Sequence, residues 1–291
     1  MQLRGTLMIL TASFLWGTTF VAQMTGMEGL GPFSYAASRF TLGFIFLLIV
    51  WIMQSKNRRR EQRAGTYHSG FIAGIGSGLF MFCASSLQQV AMLYTTAGKT
   101  AFITCLYIVF VPIGAILLGK LIRTENWIGA FLALTGLYLL AIHEDLSFQS
   151  GDLIVFISSF FWTAQILFID RFASKVDALE LSVAQVFVCM VLSFAVMIFF
   201  ESPTISAVSD AWFSIFYGGI MSAGVAFTLQ VYGQKYTPPA AAAILMSLES
   251  IFGAVSSWII LGEVMSGREI FGCVLMLIGT IVTQCRTLIG K

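Results

Sequence analysis

Runs of about twenty apolar residues, each long enough to cross the ~30 Å hydrocarbon core of a bilayer as a helix, follow one another along almost the whole chain. Polar punctuation places ten of them, at residues 3–22, 32–53, 70–91, 96–118, 125–143, 151–170, 181–200, 211–233, 238–261 and 268–286. The longest polar connection, Gln54 to Ser69, leaves no room for a soluble catalytic domain. Of 291 residues, 58% are hydrophobic and 10% are charged, with mean hydropathy +0.88. A soluble domain is about a quarter charged because its surface must face water. A net charge of +2 without a basic stripe gives no footprint for a nucleic-acid partner. The five cysteines all fall in apolar runs, which fits small core residues better than a disulfide framework. No Cys/His cluster has metal-ligand spacing, and no cofactor is expected. Arg4 precedes the first run as in a signal peptide, yet that run continues to Ala22 without a clear small-residue cleavage site. It reads as a retained span.

The charges orient this layout. With the N-terminus inside, the inner connections hold thirteen basic residues, among them Arg4, Arg58, Arg59, Arg60, Lys120, Lys175 and Lys235. The outer connections hold one, Arg268, and carry eight acidic residues against five inside. Basic residues concentrate on the cytoplasmic side of membrane proteins, so ten spans with both termini cytoplasmic are expected.

The chain also repeats itself. Ser13-Phe14-Leu15-Trp16 recurs as Ser159-Phe160-Phe161-Trp162, 146 residues on. Leu87-Gln88 and Tyr94-Thr95 recur as Leu229-Gln230 and Tyr236-Thr237 at an offset of 142, and Gly129 and Gly136 recur as Gly272 and Gly279 at 143. Two copies of five spans, 1–145 and 146–291, follow. Because five is odd, the second copy enters the membrane inverted. The expected fold is therefore an all-α membrane protein of ten transmembrane helices in two inverted five-helix repeats. In secondary transporters built this way, the substrate site lies near the midplane between the halves.

Several segments resemble the EamA-type branch of the drug/metabolite transporter superfamily over essentially the whole length. Phe14-Leu15-Trp16-Gly17-Thr18-Thr19-Phe20 looks like that family's opening signature, and Ala36-Ala37-Ser38-Arg39-Phe40 like its arginine-bearing second span. Ala101 to Tyr107 leading to Val111-Pro112 resembles its fourth span, and Leu248-Glu249-Ser250-Ile251-Phe252 followed by Leu261-Gly262-Glu263 its ninth. Ser250 and Lys120 depart from the usual pattern, where proline and an acidic residue are common. The resemblance implies ten helices around a central cavity in a bacterial plasma membrane. It also implies movement of small metabolites, with amino acids or related carboxylates and amines as the expected class and export as the expected direction. Substrate identity and coupling ion stay open, because fold and function separate widely.

Three ionisable residues fall within spans: Arg39, Lys99 and Glu249. Such groups are costly in hydrocarbon and usually face a bundle interior or a water-filled cavity. Glu249, halfway along the ninth span, reads either as a proton or substrate-cation site or as a protonated tie between helices. Lys99 reads as a snorkelling lysine or as a fixed charge for a substrate carboxylate or phosphate. Arg39 reads as a contact to carbonyls or to Glu249, or as a substrate group. Trp16 and Trp162 sit at matching depths, away from the interfacial belt, and serve either packing or stacking on a substrate. Tyr107 aligns with Glu249 across the repeat. Gln88 and Gln230 also correspond, although paired glutamines often bond helix to helix; Gln23, Gln165 and Gln185 are weaker candidates.

The run Gly114 to Leu121 imitates a phosphate-binding loop, but it lacks the final Ser/Thr and no strand precedes it. Gly70, Gly74 and Gly78, four apart, make a close-packing face suited to another helix or to a homodimer; monomer and dimer are both open. An intramembrane enzyme would need a dyad or metal set at depth, where Glu249 is alone, and a channel would need a repeated filter or charge ring. The leading expectation is a secondary carrier of a small-molecule substrate working by alternating access, with Glu249 as a candidate proton or substrate-cation site.

Overall fold

The computed structural model describes residues 2–26, 29–55, 68–95, 97–142, 149–262 and 264–289. Expectations resting on Glu28, the 56–67 connection, Glu144, Asp145, Glu263 or the side chains of Gln23 and Arg286 lie outside the described residues. Among the described residues the named elements are all helical, with one isolated parallel bridge between His68 and Val176. The first half carries α1 (Gln2–Gly26), α2 (Pro32–Met53), α3 (Phe71–Ala91), α4 (Ala97–Thr104), α5 (Tyr107–Leu117) and α6 (Thr124–Ala141). The second carries α7 (Ser150–Phe172), α8 (Ala178–Phe200), α9 (Ile205–Asp210) and α10 (Trp212–Tyr217), then a π-helical segment (Gly218–Ala226) continuing into α11 (Phe227–Gln234). It ends with α12 (Pro239–Met246), α13 (Glu249–Leu261) and α14 (Gly267–Ile289).

Eight stretches, of 19 to 23 residues, are long and apolar enough to cross a membrane. The other two expected spans are helical over 25 residues in α1 and 18 in α6. Their outward faces carry large apolar side chains: Ile72 is 87% exposed, Leu117 83% and Phe199 81%. So much apolar surface is stable only where lipid replaces water as the solvent. The chain is a multi-pass membrane protein.

Two expected spans are interrupted at matching places. Cys105–Leu106 separates α4 from α5, and Ser247–Leu248 separates α12 from α13, 142 residues later. At both breaks the amide bonds tighten to the residue three back: Ile108 N to Cys105 O (2.9 Å) and Ser250 N to Ser247 O (3.1 Å). This one-turn 3₁₀ geometry satisfies the backbone while re-aiming the helix. Pro112 lies inside α5, which runs through it, and the interruption lies upstream. The carbonyl a proline ring would clash with is four residues back, at Ile108, just past that break.

Carboxylates tie the helix ends together. Asp177 caps α8 by accepting from Leu179 N (2.9 Å) and Glu180 N (3.0 Å). Glu180 accepts from Ser69 Oγ (2.9 Å) and Gly70 N (3.0 Å) at the start of α3. At the other end of α8, Glu201 accepts from Phe33 N (3.0 Å), Ser34 N (2.7 Å) and Ser34 Oγ (2.6 Å) at the start of α2. One helix thus neutralises the orphan amides of two neighbours, each interaction strengthened by the negative charge. Helices α3 and α8 close on the glycine face: a Cβ at Gly74 would lie 2.5 Å from Ala184 Cβ, and one at Gly78 2.8 Å from Val188 Cβ. The Gly70–Gly74–Gly78 face is therefore spent inside the chain, which corrects its reading as a dimer surface.

Helices α6 and α14 cross through two glycine pairs. A Cβ at Gly136 would sit 2.4 Å from Gly272 O, and one at Gly272 2.5 Å from Gly136 O; Gly129 and Gly279 meet each other's carbonyls at 2.7 Å. Two of the four apolar clusters among the described residues flank the central seam. One joins side chains such as Ile9, Ile108, Leu137, Ile244 and Met276; the other joins Phe40, Leu47, Met81, Val186 and Phe227. Trp16 and Trp162 pack against both cores.

Candidate functional site

A cavity of about 90 Å³ opens in the seam where these two cores meet. Its wall takes Trp16 and Thr19 from α1, Arg39 from α2, and Ser85, Gln88 and Gln89 from α3, with Met92 just beyond. Thr104 and Tyr107 come from either side of the first break, and Met246 and Glu249 from either side of the second. Trp162, Ile166, Ser222, Phe227 and Gln230 complete it. That is several times the ~10–15 Å³ that a cavity needs to hold one water, room for a few waters or a small polar group.

Local sequence explains how the charged groups arrive here. Glu249 is the first residue of α13, so the break at Ser247–Leu248 turns it into the seam. Gly17 lets α1 approach, since a Cβ there would lie 2.6 Å from Glu249 O. Among the described residues the Glu249 carboxylate makes no hydrogen bond or ion pair. The Arg39 guanidinium lies over the rings of Phe40 (4.7 Å) and Tyr35 (5.7 Å). The expected contact between Arg39 and Glu249 is not formed: both line the cavity as separate poles. Desolvating a charge is expensive unless something pairs with it, so both groups are costly where they stand.

Other polar atoms are also left open. Trp16 Nε1, Arg39 Nε and Thr104 Oγ1 are buried and without a hydrogen-bond partner among the described residues. Trp162 differs from its counterpart Trp16, because its Nε1 donates to Gln88 Oε1 at 3.1 Å. Phe227 packs against both indoles, 4.9 Å from Trp16 and 6.2 Å from Trp162, nearly parallel to the latter at 7°. Behind this layer Gln230 Nε2 donates to Gln165 Oε1 (3.0 Å). Tyr107 is buried, its hydroxyl 3.7 Å from Cys105 Sγ.

Seven of the eight candidates read from the sequence thus surround one cavity; Lys99, although only 6% exposed, is not part of its lining. Burial in α4 also departs from the snorkelling expected of Lys99. Gln185 is held away from the seam by Ser77 Oγ, which donates to its Oε1 (2.9 Å). Sequence reasoning missed Ser85, Thr104, Met246 and Phe227. The repeat offset of 142 held the signal, because it pairs Ser85 with Phe227 and Thr104 with Met246, just as it pairs Gln88 with Gln230 and Tyr107 with Glu249.

Comparison with known proteins decides the family. The model of the EamA-like transporter family matches the chain twice, over residues 3–142 and 149–284. The chain belongs to the EamA-like transporter family. Similar proteins include an uncharacterized transporter of Archaeoglobus fulgidus, 28% identical over 282 residues that cover 94% of this chain and 83% of that protein. The uncharacterized transporter YoaV of Bacillus subtilis is 20% identical over 279 residues, 93% of each chain. A solved crystal structure superposes with a TM-score of 0.81 over 98% of both chains at 22% identity, a likeness of fold. This EamA-like chain is a transporter by family, and the seam between its two family matches is where the cavity lies.

Proposed function

We propose that this transporter is a secondary active carrier of small metabolites bearing both an acidic and a basic group, such as amino acids, or of related carboxylates and amines. The observation that carries the reading is one cavity lined by an unpaired arginine and an unpaired glutamate, Arg39 and Glu249, with the donors Trp16 Nε1 and Thr104 Oγ1 still open. A substrate carboxylate answers Arg39 and Trp16; a substrate ammonium, or a proton in its absence, answers Glu249. Charge-assisted bonds of this kind are the strong ones.

Alternating access follows from two inverted halves, 1–145 and 146–291, rocking about this site in a ten-helix protein with both ends cytoplasmic. The reading is supported by the double family match and by the reciprocal crossing of α6 and α14, in which Gly129 meets Gly279 and Gly136 meets Gly272. Breaks at equivalent points of the fourth and ninth spans beside the cavity support it too, since interrupted helices frame substrate sites in transporters of this design. The segregation of basic residues favours cytoplasmic ends, and export from a bacterial plasma membrane is the direction that the family resemblance suggests.

The test is uptake of labelled amino acids into proteoliposomes under an imposed proton gradient. Saturable, gradient-driven flux is expected. Ion currents near diffusion rates, or product formation without a second compartment, would sink the carrier.

A further inference from the structure

We propose that Phe227 sets how large a substrate group the cavity admits, acting as a wedge that its repeat counterpart Ser85 lacks. The inference rests on the carrier reading above and adds a residue that decides specificity.

Around the seam the two halves supply matched residues: Trp16 and Trp162, Gln88 and Gln230, Tyr107 and Glu249. At one pair the match fails in volume. The offset that aligns Gln88 with Gln230 sets Ser85 opposite Phe227, and both line the cavity. The Phe227 ring centroid lies 4.9 Å from that of Trp16 and 6.2 Å from that of Trp162, nearly parallel to the latter, so it packs against both indoles. On the other side Ser85 bonds only weakly to Phe82 O, at 3.4 Å, and leaves room.

The two walls are not equally free to yield. Trp162 is tethered through Nε1 to Gln88, whereas Trp16 Nε1 has no partner. A substrate side chain therefore meets a fixed indole on one side and a fixed phenyl ring beneath. The π-helical segment ends at Ala226, and Phe227 is the first residue of α11. Wide π turns change side-chain register and recur at functional sites; here the change comes immediately before the residue that limits the space. Removing the ring enlarges the recess between the tryptophans, and adding a ring at Ser85 closes the recess on the opposite side.

Competition by glycine, alanine, leucine, phenylalanine and tryptophan against labelled uptake in proteoliposomes reads the limit. The wild type should discriminate between leucine and tryptophan by at least about tenfold, the scale at which a pocket resolves size. Phe227→Ala should bring tryptophan close to leucine, and Ser85→Phe should move the cut-off down towards alanine. An unchanged ladder in both variants overturns the proposal.

Should no amino acid be carried, the substrate reading fails, and the wedge is judged without substrate. Cysteine introduced as Ser85→Cys, in a chain whose five native cysteines are serine, is modified with methyl and benzyl methanethiosulfonates. With Phe227 in place the benzyl reagent should react at least about tenfold more slowly than the methyl one, and Phe227→Ala should remove the gap. Equal rates with Phe227 present overturn the proposal. Phe227→Leu, run beside the alanine variant, should give an intermediate result in a folded protein.

Discussion

Glu249 and Arg39 are the residues on which the proposed chemistry turns, and each is costly where it stands. A carboxylate within the membrane persists when it answers a ligand or a proton, and Glu249 has neither a hydrogen bond nor an ion pair among the described residues. Glu249→Gln keeps the shape and removes the charge. Losing one charge-assisted interaction, ~1.5–3 kcal/mol, should lower transport of a cationic or zwitterionic substrate roughly ten- to hundredfold. Uptake by proteoliposomes, with monodispersity in detergent as the folding control, checks this, and full activity would reduce Glu249 to packing. The depth of both charges was legible in the sequence from their position along apolar runs. Their separation was not, because which faces of α2 and α13 turn towards each other depends on how the helices cross.

At the scale of elements, backbone contact rather than side-chain burial decides the arrangement. Lipid tails are as apolar as leucine, so helices associate in a membrane through close packing and hydrogen bonds instead of hydrophobic burial. The α6–α14 crossing uses this fully, with Gly136 and Gly272 against each other's carbonyls. Gly136→Leu drives its Cβ into hard contact with Gly272 O, and overpacking of that kind costs typically ~1–3 kcal/mol. A lower melting temperature in detergent is expected, and an unchanged one would show that α6 and α14 can separate freely. The glycine spacing was visible in the sequence, including the Gly70–Gly74–Gly78 face. Its partner was not: a small-residue stripe states that something packs closely, and only the fold shows that α8 does so.

For the whole molecule, orientation is the property that charge alone predicts. Ser206 and Lys175 are both exposed at opposite ends of the bundle. In intact cells a cysteine at Ser206 should react with an impermeant maleimide, and one at Lys175 only after permeabilisation, because basic connections stay cytoplasmic. Reversed labelling overturns the orientation. The same end of the bundle that holds Lys175 is closed by several contacts: Lys120 pairs with Asp170, His68 N donates to Lys175 O (3.0 Å), and Gln234 Nε2 donates to Ile166 O (3.0 Å). If the halves rock as proposed, opening this end would break these contacts.

Membrane residence, the helical class, the recurring segments and the short list of polar residues within apolar runs were determined by the sequence alone. Hydrophobic length and charge placement are one-dimensional quantities, read directly along a chain. The helix breaks beside Tyr107 and Glu249, the gathering of seven candidates round one cavity without Lys99, and the unequal pair Ser85 and Phe227 were decided by the tertiary structure. Each depends on which helix faces meet across the seam, and in a chain apolar on nearly every face, hydrophobic pattern does not distinguish the side that meets lipid from the side that meets its neighbour.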